Sequence, residues 1–338
     1  MIPELLWLRN IERDIGMENI GHATEQPEWV TKGKVTWFDV QHPTREKLKL
    51  LEDRYSFHEL NIDDCLSKIQ IAKVDSYENH VFAILHIPTI DKEQSTSIPT
   101  QLAIFAGPEY LITVQQEVLK PLSEMFQMCK DNAVQRDSLM GNSPGYLLHS
   151  IIEMLVEHLL HILAKLEGNL DDIEELVFDE KTAVPKEISM LRREITALRR
   201  IIYPLKRTVF EISKEIQRFS EEDLSPYFDD LNDHFDMAIE AVDESKETID
   251  IFKDTDFMLS SEKSNKILAI LTILFTLSIP ASAIATLYGM NVNLPGGILT
   301  GQPTFLGSYT SFILLTITAL VPAAIMTYWF KRQQWLRY

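Results

Sequence analysis

Asn265, Leu268, Thr272, Phe275, Ile279, Ser282, Thr286 and Gly289 recur at three- and four-residue steps, with Leu271 adjoining. That spacing puts side chains on one face of a helix. The types could do two kinds of work. As a packing seam, small and polar side chains let membrane helices approach and hydrogen-bond. As a pore wall, the polar positions would form oxygen-bearing rings at each end, and the apolar ones a constriction that gates by dewetting. Spacing alone does not choose between them. The stripe runs into Tyr288-Gly289-Met290-Asn291, which closes one apolar stretch and opens a short uncharged loop.

A second chemically distinctive region lies upstream. Residues 221–256 hold 14 Asp and Glu against Lys246 and Lys253. Such a run is either a solvated acidic face or an oxygen-rich surface that attracts hard cations such as Mg2+. Glu157, His158 and His161 could ligate a metal from one helix. No third strong ligand follows at a helical step, and their neighbours are leucines of a core-facing stripe. Catalysis has no constellation: there is no glycine-rich phosphate loop, nucleophile elbow or HExxH. The chain is therefore not expected to be an enzyme.

The elements around the stripe follow from charge. No Asp, Glu, Lys or Arg occurs between Lys266 and Lys331. Residues 267–287 would be roughly 32 Å long as a helix, which matches a hydrocarbon core of about 30 Å. Residues 309–330 make a second such stretch beyond a loop at 288–308. The alternative, a buried core hairpin, fits the length and the missing charge less well. Lys263 and Lys266 flank the first stretch, and Lys331, Arg332 and Arg337 follow the second, whereas the loop has no positive charge. The positive-inside rule puts both termini in the cytoplasm. The formal net charge is −18, and the three charged residues beyond Lys266 are all positive, so residues 1–266 hold −21. Such a domain repels nucleic acid and anionic lipid and binds cations readily. Cys65 and Cys129 have no metal-type spacing and suit a reducing compartment. Residues 1–14 show no basic start and apolar core of a signal peptide.

Ahead of the spans, residues 1–142 read as mixed α/β. Strands are predicted at 35–40, 80–87, 102–105 and 110–114, with helices at 44–51, capped by Thr44, and near 62–68. Gly107-Pro108 is a turn, and residues 95–100 read as a polar connection. Residues 143–266 are helical. Leu148, Ile151, Ile152, Leu155, Leu159, Ile162, Leu163 and Leu166 form one apolar stripe. A helix over 186–219 carries charges of both signs, as solvated helices do. A third starts at Ser225-Pro226, with Ser225 as its cap. Its stripe is Phe228, Leu231, Phe235, Ala238, Val242, Ser245, Ile249, Phe252, Asp256 and Leu259, a coiled-coil-like period. No strong breaker separates it from residue 267, and a helix over 226–288 would be on the order of 95 Å long.

These motifs together resemble the CorA family of magnesium channels. The resemblance rests on Tyr288-Gly289-Met290-Asn291 after the first of two C-terminal spans. Asn265-Lys266-Ile267-Leu268, Leu271-Thr272-Ile273 and Pro280 match the family's first span in order and spacing. Lys331-Arg332 and Trp335-Leu336 resemble its basic ending. Upstream, Tyr203-Pro204-Leu205-Lys206-Arg207, Pro226-Tyr227-Phe228 with Asp230, Asp233 and His234, and Lys73-Val74-Asp75 with Tyr77-Glu78 extend the likeness over nearly the whole chain.

The resemblance implies an α+β fold: a cytoplasmic α/β/α funnel with long stalk helices, then a two-helix transmembrane hairpin, assembled as a homopentamer in a prokaryotic inner membrane. It makes Asn291 an outer selectivity ring, beside Tyr288, the Gly289 carbonyl and Met290. Asn265, Leu268, Leu271, Thr272, Phe275, Ile279 and Ser282 become pore-lining or gating. A neutral amide ring suits Mg2+, which gives up its water reluctantly. Co2+ and Ni2+ would be further cargo. Cytoplasmic Mg2+ would close the pore by bridging acids of neighbouring copies, with Asp230 facing Glu78 and Asn79. Two acids are expected at 78–79, so the amide of Asn79 weakens that site. The outer loop lacks the acids that family loops often present, and residues 260–265 run shorter than the family pattern. A proton-coupled, ZntB-like zinc transporter is the alternative: Met290 favours magnesium, while the uncharged loop keeps zinc open. From another class, the hairpin could merely anchor a cytoplasmic binding module. A bare anchor needs no polar stripe ending at Asn291.

Overall fold

Six strands sort their side chains between two cores, and that sorting fixes the architecture. They are β1 (Glu28–Lys32), β2 (Val35–Gln41), β3 (Lys73–Ser76), β4 (Val81–Ile90), β5 (Ser97–Ala106) and β6 (Tyr110–Gln115). Trp37, Leu85, Leu102, Ile104 and Leu111 enter one core. Their neighbours Phe38, Ile84, Ala103, Phe105 and Ile112 enter the other. Successive strand residues point to opposite faces, so a sheet covered on both faces reads as continuous apolar sequence. The strand order is β1-β2-β6-β5-β4-β3. Only the β2–β6 pair is parallel. The β1–β2 hairpin turns through Gly33, whose φ of 58° a side chain would strain.

The computed structural model describes residues 27–67, 70–91, 96–141, 143–177, 184–290 and 310–332. One sheet face packs on α1 (Arg45–Tyr55) and α2 (Glu59–Leu66), through Leu48, Leu51 and Ile62. Thr44 caps α1, accepting from the Lys47 N–H at 3.3 Å, a contact worth about 1 kcal/mol. The other face joins a core shared by α3 (Lys120–Asp131), α4 (Ala133–Met140), α5 (Pro144–Val177) and α6 (Pro185–Ile216). On α6, Ile188, Ile195, Ile202, Val209 and Ile216 are buried at seven-residue steps.

The third long helix, α7 (Ser225–Gly289), is one element of 65 residues. Its predicted stripe is buried from Phe228 to Phe252, and half-buried at Asp256 and Leu259. The last described helix is α8 (Thr310–Arg332). The chain divides into two compact units between Lys253 and Asp254.

Several expectations are corrected. Residues 97–100 are not a connection but the start of β5. Ser97 is buried there with its N–H and hydroxyl donating to the Glu194 carboxylate of α6, and Thr100 with its hydroxyl 2.6 Å from that of Thr89. The helices α3 and α4 and the strands β1 and β3 were not anticipated. Helix α7 begins at Ser225 itself, so Ser225 is not its cap; the Asp223 carboxylate accepts from the Ser225 N–H at 3.0 Å. That hydrogen bond holds the Asp223 carboxyl below its ordinary pKa.

Among the described residues, three helices are long and apolar enough to cross a membrane: α5, α7 and α8. They differ in what covers them. The apolar window of α5 is 56% buried within the protein, against 0% and 6% for those of α7 and α8. Helix α5 is core, and its leucines satisfy the sheet.

Candidate functional site

The predicted stripe lies on α7 between Asn265 and Gly289, in the second unit. Asn265, Leu268, Leu271, Thr272, Phe275, Ile279 and Ser282 are all exposed in the single chain, Phe275 by 64% and Ile279 by 61%. A neighbouring face is half-buried instead, at Ala269, Ile273, Thr276, Leu277, Pro280 and Ile284. The stripe is therefore not the covered face of the helix within one chain.

Both of its threonine hydroxyls are committed as donors. Thr272 donates to the Leu268 carbonyl and Thr286 to the Ser282 carbonyl, each at 2.7 Å. A threonine bonded this way keeps oxygen lone pairs facing outward. Such oxygens can accept from the water shell of a cation. Helix α7 ends on Gly289, and Met290, 53% exposed, begins the turn away. Tyr288 lies in the last turn. Asn291 and residues 292–309 lie outside the described residues, as do residues 333–338.

The predicted cytoplasmic residues sit in the first unit. Glu78 and Asn79 occupy the turn between β3 and β4, both exposed. Arg218 clamps this turn by donating to the Tyr77 carbonyl at 2.5 Å and the His80 carbonyl at 3.2 Å. The Asn79 carbonyl oxygen lies 2.8 Å from His80 Nδ1. His80 is buried among Phe57, Tyr77 and Phe105. Burial, with the Arg218 charge second, pushes its pKa down to about 4.

Asp230 is exposed on α7, near buried His149 of α5. Burial lowers the pKa of His149, against the opposing pull of Glu153, a backbone contact to Tyr227, and Asp230. No hydrogen bond or ion pair among the described residues joins Asp230 to Glu78 or Asn79. Among the described residues, no three His, Cys, Asp or Glu side chains stand together to hold an ion. Glu157, His158 and His161 are exposed on α5 and form no such group either.

One arrangement escaped the sequence reading. Arg192, Arg199 and Lys206 of α6 pair with Asp250, Asp243 and Asp236 of α7. The mixed charge of α6 is thus partly a contact surface rather than wholly a solvated face. The acids of α7 are correspondingly fewer in open solvent. The signal was present as two seven-residue progressions, 192/199/206 and 236/243/250, one on each helix.

A family model described as "CorA-like Mg2+ transporter protein" matches residues 32–332. The chain is 27% identical over 301 residues to the putative metal ion transporter YfjQ of Bacillus subtilis strain 168, covering 88% of this chain and 89% of that one. It is 26% identical over 305 residues to the cobalt/magnesium transport protein CorA of Thermotoga maritima, covering 89% and 83%. The complete structure of the CorA magnesium transporter from Methanocaldococcus jannaschii superposes with a TM-score of 0.73 at 20% identity, covering 90% of this chain and 93% of that one. At that identity the likeness concerns the fold.

Proposed function

The chain belongs to the CorA-like Mg2+ transporter family, and from that premise we propose that it is a Mg2+ channel whose pore is lined by α7 of five identical copies. The family is one of membrane transporters of divalent cations rather than of enzymes. The observation that carries the reading is the stripe from Asn265 to Gly289. It is polar at its ends, apolar in its middle, and open to a second copy rather than spent on packing inside the chain.

In this reading α7 and α8 cross the inner membrane, with both termini in the cytoplasm. Asn291 forms the outer ring, beside the Gly289 carbonyl, Met290 and Tyr288. Amide oxygens there accept from the water of a hydrated ion, selecting Mg2+ without stripping it. Leu268, Leu271, Phe275 and Ile279 form the dewetting constriction, and Thr272 and Ser282 supply hydroxyl oxygens. Co2+ and Ni2+ share the path.

Cytoplasmic Mg2+ closes the pore through Asp230 of one copy and Glu78 and Asn79 of the next. Mg2+ holds most of its water and takes one or two carboxylates. A formal −21 over residues 1–266 makes five copies repel when the cation is removed.

The test is flux into liposomes holding the purified protein, for Mg2+, Co2+, Ni2+ and Zn2+, with and without a pH gradient. Mg2+ entry without a proton gradient is the expected result. The uncharged loop at 292–308 keeps the ZntB-like alternative open, and Zn2+ entry that collapses with the gradient would establish it instead.

A further inference from the structure

The pairs between α6 and α7 form a regular antiparallel ladder. Arg192 Nε lies 3.3 Å from Asp250 Oδ1, Arg199 Nε 2.9 Å from Asp243 Oδ1, and Lys206 Nζ 2.5 Å from Asp236 Oδ1. Each seven-residue step up α6 meets a seven-residue step down α7. The Tyr203 hydroxyl adds a bond to Asp243 Oδ2 at 2.6 Å. On both helices the charged residue directly follows an apolar contact position: Leu198 and Leu205 on α6, Phe235, Val242 and Ile249 on α7.

Helix α7 carries a second acidic row with the same period: Asp233, Glu240 and Glu247. These are exposed and make no ion pair among the described residues. The two rows lie three residues apart, about 60° around the helix and about 4.5 Å along it. Charge alone lets the α6 cations pair with either row. Shape does not. Moving α7 by three residues would drive Phe235 into the space of Ala238 and Val242 into that of Ser245, and overpacking of that kind is destabilising.

We propose that Arg192, Arg199 and Lys206 are positioning residues for α7: they hold it in the setting that keeps Asp236, Asp243 and Asp250 against α6 and leaves Asp233, Glu240 and Glu247 outward. The outward row then adds its charge to the repulsion that cytoplasmic cations at Asp230 relieve. This rests on the cation-closed channel proposed above. Because the same helix carries the pore stripe, its setting against α6 decides how readily cations close the pore. The pairs are partly exposed, so each contributes modestly to stability and their loss leaves the fold intact.

Two triple variants of the full-length protein in liposomes separate positioning from bulk charge. Arg192→Gln/Arg199→Gln/Lys206→Gln and Asp236→Asn/Asp243→Asn/Asp250→Asn both break the three α6–α7 pairs, the second also Lys246–Asp250 within α7, but change net charge in opposite directions. The readout is the internal Mg2+ concentration that halves the flux. Positioning predicts that both variants shift it the same way, by about threefold or more. It also predicts that the exchange Lys206→Asp with Asp236→Lys stays near wild type, while Lys206→Asp alone shifts. Opposite shifts in the two triple variants, or no shift in either, would overturn the ladder's role while leaving cation closure standing. A wild-type protein whose flux ignores internal Mg2+ would remove the cation-closed reading itself, and the proposal with it.

Discussion

The two units of the chain obey opposite rules of burial. In the first, large apolar side chains such as Trp37, Phe82, Phe105 and Phe126 are essentially inaccessible. In the second, Leu268, Leu274, Phe275, Leu314, Leu320 and Ile325 are each more than half exposed. Composition does not explain this, since α5 is also apolar enough to span a bilayer and is folded into the core. The difference is in what completes each surface. The first unit hides its apolar area in its own two cores. The second presents that area on nearly every side, as a helix does when lipid and other copies are its solvent.

Mutations that sharpen this contrast can be ranked. The largest effect belongs to the core of the first unit. Trp37→Ala removes a fully buried ring packed edge-on to Phe126 at 5.0 Å and should cost about 3–5 kcal/mol, measured by thermal melting of the purified protein. Next comes a matched pair. Ile317→Asp on α8, 54% exposed, should weaken membrane insertion by about 2.5–3.5 kcal/mol, seen as loss from the membrane fraction. Ile71→Asp in the first unit, 80% exposed, should stay within about 0.5 kcal/mol of wild type. Equal tolerance at both sites would break the contrast.

A smaller, functional effect should follow Leu271→Ala, which widens the proposed constriction. Background Mg2+ leak into liposomes should rise several-fold without loss of protein from the membrane. An unchanged leak would place the gate elsewhere.

A further effect concerns pH and lies in the first unit. His80 titrates near 4 when folded, against 6.5 when free. Between these values the unfolded chain holds more protons than the folded one. Stability from the buried neutral ring is thus present above about 6.5 and lost as pH falls toward 4. His80→Gln should reduce the drop in melting temperature across that window, as read by thermal melts at pH 6.5 and 4.5.

Much of this was legible in advance for physical reasons. The α7 stripe and the apolar stretches rest on period and on absence of charge, which survive without tertiary context. Thr44 as a cap is local chemistry, visible in four residues. What escaped needed partners. Residues 97–100 look like a loop because the stretch 95–100 is mostly polar, and only their pairing with β4 and the contact of Ser97 with Glu194, distant in sequence, show a strand. The acids at 236, 243 and 250 look free until the facing α6 cations are known. Asp230 shares no hydrogen bond or ion pair with Glu78 or Asn79 among the described residues, so nothing local marks the three as one site.

The most direct test is Mg2+ uptake by liposomes carrying wild type or Asn291→Ala. If Asn291 forms the selecting ring of an α7-lined pore, the variant should assemble normally and lose uptake nearly completely. Unchanged uptake with normal assembly would contradict the account and leave α7 and α8 as an anchor.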